Sequence, residues 1–129
     1  MRVLLDTCAL VWATRDAARL SPEARALIET PGNDFVVSSI SLWEIALKVK
    51  RGKLALGLPM QEYVGRLSRL ENVEILDVTP PVWLRNVALD WAHRDPADRT
   101  IVATAELEDL AIVTRDERIL RFYARTVTA

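Results

Sequence analysis

Asp95-Pro96-Ala97-Asp98-Arg99-Thr100-Ile101-Val102-Ala103-Thr104-Ala105, followed by Ala111-Ile112-Val113-Thr114-Arg115-Asp116, decides the fold. Asp95 before Pro96 is a helix start, with an acid at the cap and proline at the first helical position. Ile101, Val102 and Ala105 share one side of that helix with Asp98, so Asp98 points toward the core side. Ala111 to Thr114 is a short apolar strand, and the chain turns polar at Arg115-Asp116.

The same alternation runs through the rest of the chain. Val3-Leu4-Leu5 is a strand that ends on Asp6. Ser21-Pro22 opens a helix that stops at Pro31-Gly32, and Phe35-Val36-Val37 is a second strand. A helix from about Ser41 to Arg51 comes next and is stopped by Gly52. Met60, Tyr63, Val64, Leu67 and Leu70 fall at helical spacing, and Val73 to Val78 is a third strand. Leu84, Val87, Ala88 and Trp91 mark a helix after Pro80-Pro81. A short helix from Glu117 to Phe122 and an edge strand at Thr126 to Thr128 close the chain. Strands alternating with helices predict an α/β fold, a three-layer α/β/α sandwich around a parallel sheet with right-handed crossovers. The 129 residues suit one domain spanning 1–129.

Composition narrows the function. One cysteine, Cys8, excludes an internal disulfide and any cysteine-rich zinc framework. One histidine, His93, would have to carry any histidine-based metal site or Ser-His-Asp triad alone. Asp6 interrupts the N-terminal apolar run, and no stretch approaches the roughly 18 apolar residues that span a bilayer, so the reading is cytoplasmic with no membrane partner. Lys and Arg number 17 against 18 Asp and Glu, a net charge of −1 without the basic footprint of many nucleic-acid binders.

The placement of the acids matters more than their sum. Groups with function gather beyond the carboxyl ends of strands in open α/β sheets. Asp6 ends the first strand, Glu44 lies in the first turn of the helix after the second, Asp98 starts the helix leading to the fourth, and Asp116 lies just after it. Each has a plain capping role: Asp6 and Asp116 as helix caps, Ser41-Leu42-Trp43-Glu44 as a capping box, Asp95 with Asp98 at the same spacing. Together they crowd one edge, where like charges must protonate or bind a cation. An oxygen-only set favours Mg²⁺ or Mn²⁺ over zinc or copper, and such an ion serves phosphodiester hydrolysis.

At these residues the sequence resembles PIN-domain proteins of the VapC toxin type. Leu4-Leu5-Asp6-Thr7, Ser39-Ile40-Ser41-Leu42-Trp43-Glu44-Ile45-Ala46 with Lys48 and Gly52-Lys53-Leu54, His93-Arg94-Asp95-Pro96-Ala97-Asp98-Arg99, and Val113-Thr114-Arg115-Asp116 carry the likeness, in the family's order. The resemblance implies a Mg²⁺- or Mn²⁺-dependent endoribonuclease toxin of a type II toxin–antitoxin pair. Its catalytic and metal residues are Asp6, Glu44, Asp98 and Asp116, with Thr7 and Thr114 in support. It also implies an RNA substrate, a VapB-type antitoxin and a homodimer. Cys8 and Ala97 stand where His and Phe are common in the subfamily.

Other residues have competing roles. Arg99 and Arg115 flank the acids and are candidates for substrate phosphate. Lys48, Lys50, Arg51 and Lys53 are either a solvated helix end or an RNA contact. His93 reads as a structural hydrogen-bonding residue, Cys8 as a small packing residue, and the four tryptophans as core or dimer surface. A haloacid-dehalogenase-like phosphatase would want an acid where Cys8 stands, and a receiver domain would want an acidic pair at Asp6-Thr7. A catalytically silent PIN-fold RNA-binding or protein-interaction module is the remaining alternative.

Overall fold

A computed structural model describes all residues, 1–129. Five strands form one wholly parallel sheet: β1 (Arg2–Leu5), β2 (Asp34–Ser38), β3 (Val73–Leu76), β4 (Ala111–Thr114) and β5 (Thr126–Thr128). Their order across the sheet is β3-β2-β1-β4-β5. The chain therefore builds outward from β1 in one direction through β2 and β3, then crosses back to add β4 and β5 on the other side. The reversal falls between β1 and β4, and an open α/β sheet has its crevice at such a switch point.

The strands are too short to alternate polar and apolar residues, and the three central ones, β2, β1 and β4, are buried on both faces while the edge strands β3 and β5 are half-buried. Successive side chains nonetheless divide between two cores. Val3, Leu5, Phe35, Val37 and Val113 pack under α1 (Thr7–Arg15), α2 (Pro22–Glu29), α3 (Ser39–Lys50) and α4 (Met60–Ser68). Leu4, Val36 and Ile112 pack on the opposite face under α5 (Pro80–Ala88), α6 (Pro96–Glu108) and α7 (Glu117–Phe122). The three-layer sandwich predicted from the sequence is the one observed. No helix is long and apolar enough to cross a membrane.

Three local departures have physical causes. Helix α3 begins at Ser39, because Ser38 and not Ser41 is the cap and accepts from the Ile40 N–H at 3.2 Å. Strand β3 ends at Leu76, and the Ser39 hydroxyl takes up the Val78 N–H at 3.1 Å. In α5 the buried residues are Val82 and Asn86, and Leu84 and Val87 face solvent at 73% and 81% exposure. The chain leaves the helix in an extended conformation at Leu89, so Trp91 lies beyond it.

Arg99 fixes the segment that joins α5 to α6. Its guanidinium donates to four backbone carbonyls, those of Asn86, Leu89, Trp91 and His93, at 2.6–3.0 Å. Asn86 adds a bond to Thr100 Oγ1 at 3.0 Å. The planar fork of arginine suits such multiple acceptance. This clamp lays residues 86–93 along α6, which is how His93 comes to rest beside Asp98. Arg99, expected from the sequence at substrate phosphate, acts here as a backbone clamp with both terminal nitrogens engaged inside the fold.

Candidate active site

Parallel register brings the first two acids together. Leu5 lies opposite Val113, and the Asp6 N–H continues the ladder to the Val113 carbonyl at 3.1 Å. One step further, Thr114 Oγ1 donates a short hydrogen bond to Asp6 Oδ2. Asp6 Oδ1 accepts from the Ala9 N–H at 2.8 Å and so caps α1. Thr114 Oγ1 also accepts from the Asp116 N–H at 3.0 Å, which holds the turn into α7. Asp116 caps that helix through Oδ1, accepting from the Arg118 and Ile119 N–H groups.

Asp98 arrives from the helix in front of β4. The Asp95 carboxylate caps α6 by accepting the Asp98 N–H at 2.9 Å. His93 Nε2 lies 2.7 Å from Asp98 Oδ2, and its Nδ1 faces Arg118 Nη1 at 3.4 Å. Arginine can only donate, so that pairing assigns Nδ1 as acceptor and Nε2–H as donor to Asp98. The ring is held edge-on to Trp91, with centroids 4.9 Å apart. Ligand atoms of His93, Asp95 and Asp98 lie within 4.8 Å of one another.

The electrostatics single out Asp6. It is 5% exposed. Burial pushes its carboxyl up to about 6, against the opposing bonds from Thr114 and Ala9, and the charges of Asp98 and Asp116 push the same way. Asp98 is also raised, first by burial and then by Asp95 and Asp116, although His93 opposes this. The charges of Asp98 and Asp116 thus reach Asp6, and that of Asp116 reaches Asp98. A divalent cation among oxygen ligands would relieve both the desolvation and the repulsion. The donor atoms close enough to share one ion are those of His93, Asp95 and Asp98, and Asp6 lies outside that group.

The other expected residues are placed differently. Glu44 stands in the second turn of α3, not the first, since the helix starts two residues early. It lines a neighbouring groove with Trp43, Lys48, Arg51, Lys53 and Asp95. The Thr7 hydroxyl donates to Ser41 Oγ at 2.9 Å, joining α1 to α3 behind the acids. Arg115 donates to the carbonyls of Ala129 and Arg19 and stacks on Trp12, 4.6 Å from the ring centroid. These contacts hold the Arg115 guanidinium against the C-terminal strand and α1. Cys8 is exposed and so is not a packing residue. Its thiol is pushed up to about 11 by partial burial and by Asp6, which leaves it protonated at neutral pH. The pairing of His93 with Asp98 went unread in the sequence, although His93 stands five residues before Asp98 in a segment that must turn.

Because the folded state raises the Asp6 carboxyl above its ordinary value of about 3.9, it binds that proton more tightly than the unfolded chain does. Ionised Asp6 thus costs metal-free protein stability above about pH 6, and the cost fades as pH falls toward 4. Asp6→Asn is expected to stabilise the EDTA-treated protein by up to about 3 kcal/mol at pH 7, shrinking to a few tenths near pH 4. Urea unfolding of both proteins at the two pH values measures this. An equal difference at both would contradict the assignment.

The sequence profile of the PIN domain matches residues 3–125. The chain is 34% identical over 118 residues to Ribonuclease VapC22 of Mycobacterium tuberculosis, a span of 91% of this chain and 88% of that relative. Among solved structures, a toxin–antitoxin complex from Klebsiella pneumoniae superposes with a TM-score of 0.66 at 25% identity, covering 98% of this chain and 96% of the other. FitAcB from Neisseria gonorrhoeae shares the fold with a TM-score of 0.68 at 23% identity, covering 99% and 97%. A family profile matched along nearly the whole chain, a relative of 34% identity and the shared fold agree, and the chain belongs to the PIN-domain family.

Proposed function

We propose that this PIN-domain protein is a divalent-metal-dependent endoribonuclease, the toxin of a type II pair. The observation that carries the reading is Asp6, a carboxylate buried at the switch point of the sheet and raised first by that burial, with the charges of Asp98 and Asp116 adding to it. The relative named a ribonuclease supports RNA as the substrate. Oxygen ligands favour Mg²⁺ or Mn²⁺. Bound there, such an ion lowers the pKa of water and offsets charge on a phosphodiester.

The protein's own part is to hold the carboxylates. Thr114 and the Ala9 N–H fix Asp6 by one bond to each oxygen. His93 fixes Asp98 through Oδ2, and the α7 N–H groups fix Asp116 through Oδ1. Asp98 and Asp116 each keep a second oxygen for a cation. Glu44 and Thr7 serve from further out: Glu44 through the groove beside Asp95, Thr7 through its bond to Ser41. A VapB-type antitoxin is the protein partner, in keeping with the Klebsiella complex and with VapBC2 of Rickettsia felis bound to promoter DNA. The setting is cytoplasmic, where RNA and antitoxin meet.

Purified protein is expected to cut single-stranded RNA with Mg²⁺ or Mn²⁺ and not in EDTA. Asp98→Asn keeps the shape and is expected to lose at least about 100-fold in rate, equivalent to about 2.7 kcal/mol of barrier. Cleavage in EDTA, or an unimpaired Asp98→Asn, would overturn the reading.

A homodimer belongs to the same proposal. Trp83, Leu84 and Val87 make one exposed apolar strip on α5, which a second copy would cover. Val87→Glu is expected to shift the sedimentation coefficient from dimer to monomer without changing the melting temperature by more than a few degrees. A monomeric parent, or a dimer indifferent to the change, contradicts it.

A further inference from the structure

Two grooves flank the segment His93 to Ala97, just ahead of Asp98. One, of about 500 Å³, runs between α7 and the segment before α6, and Trp91, His93, Arg118, Arg121 and Phe122 line it. The other, of about 240 Å³, runs between the end of α3 and the start of α6, with Trp43, Lys48, Arg51 and Lys53 on its wall. His93 belongs to the first and Asp95 to the second, and the ligand atoms of both lie within 4.8 Å of that of Asp98.

Both grooves combine cations with aromatic surface. Arg121 is 77% exposed at its side chain, paired only with Glu117 one helical turn away. Such a pair is worth little in water and yields readily to a phosphate. Trp43 is 54% exposed, although its neighbours on α3 are buried or half-buried. An exposed indole beside three cations is out of place on a solvated helix end. Grooves that bind single-stranded nucleic acid pair a cationic track with aromatic faces on which bases stack.

We propose that the two grooves form one continuous track for single-stranded RNA, with the strand crossing Asp98 between them. The track rests on the ribonuclease reading and adds where the substrate lies. Lys48, Arg51 and Lys53 hold phosphates on one side of the cleaved bond, with Trp43 offering a face to a base. Arg118 and Arg121 hold phosphates on the other.

The test measures binding apart from cleavage. All proteins carry Asp6→Asn so that a fluorescein-labelled, mixed-sequence single-stranded RNA 20-mer stays intact, and affinity is read by fluorescence anisotropy in Mg²⁺. Arg118→Glu with Arg121→Glu is expected to weaken binding at least tenfold. Lys48→Glu with Lys53→Glu is expected to do the same. Each pair should flatten the logarithmic salt dependence by about 1.4, the share of two single-strand phosphates. The control is Arg69→Glu with Arg125→Glu, which makes the same change in net charge at the opposite edge of the sheet, ahead of β3 and β5. It should alter affinity by less than twofold. Glutamine replacements, with circular dichroism on all variants, serve if a glutamate pair fails to fold. Unchanged affinity in either groove pair overturns the track, and so does an equal loss in the control. Loss of antitoxin binding with RNA affinity intact also overturns it, assigning the grooves to a protein. Cleavage of the same RNA by wild type with Mg²⁺ is scored separately: a wild type that never cuts defeats the ribonuclease reading, whereas one that cuts while the groove variants bind normally defeats only the track.

Discussion

Leu5 and Val113 sit opposite one another in parallel register, and the residues just past that pair, Asp6 and Thr114, share a hydrogen bond. Much of the site depends on this contact. It sits where the sheet reverses its direction of growth, so helices diverge from it on both sides and leave a crevice. It buries a carboxylate that water cannot solvate, and that carboxylate caps α1 at the same time. Through Thr114 it fixes the turn that brings Asp116 to the same edge. A one-residue slip between β1 and β4 would turn Val3 and Leu5 to the wrong layer and separate the two oxygens, so the packing of both cores guards the geometry of the site.

Capping and cation binding are compatible duties of the same acids. Asp6, Asp95 and Asp116 all accept backbone N–H bonds at helix starts. The positive ends of α1, α6 and α7 make it tolerable to hold several carboxylates close together before any ion arrives. What remains uncompensated is the desolvation of Asp6, the leading cause of its raised carboxyl. A fold that used these acids as caps alone would have little reason to bury one of them and aim two others at it.

Much of this was legible in the sequence. Short apolar runs broken by Pro, Gly and capping acids specify the order of strands and helices. The rule that strand ends collect function picks out Asp6, Glu44, Asp98 and Asp116. Errors came where a local pattern had two solutions. Ser38-Ser39-Ile40-Ser41 offers three serines as caps, and the cap at Ser38 instead of Ser41 moves Glu44 three residues further into the helix. Arg99 and Arg115 adjoin the acids in sequence, but a long side chain goes where acceptors are, and unpaired carbonyls of residues 86–93 and of Ala129 lay within reach. The apolar spacing of Leu84 and Val87 is real, yet it marks a face turned outward. The net charge of −1 hid the pattern that counts, acids gathered at one edge with cations on the walls around them.

Anomalous scattering from Mn²⁺ diffused into crystals of the protein tests the metal centre most directly. A single region of density bounded by Asp6, Asp98 and Asp116, lost in Asp98→Asn, is the expected result. Density confined to His93, Asp95 and Asp98, away from Asp6, or no site-bound manganese at all, would contradict a metal-holding role for the buried carboxylate.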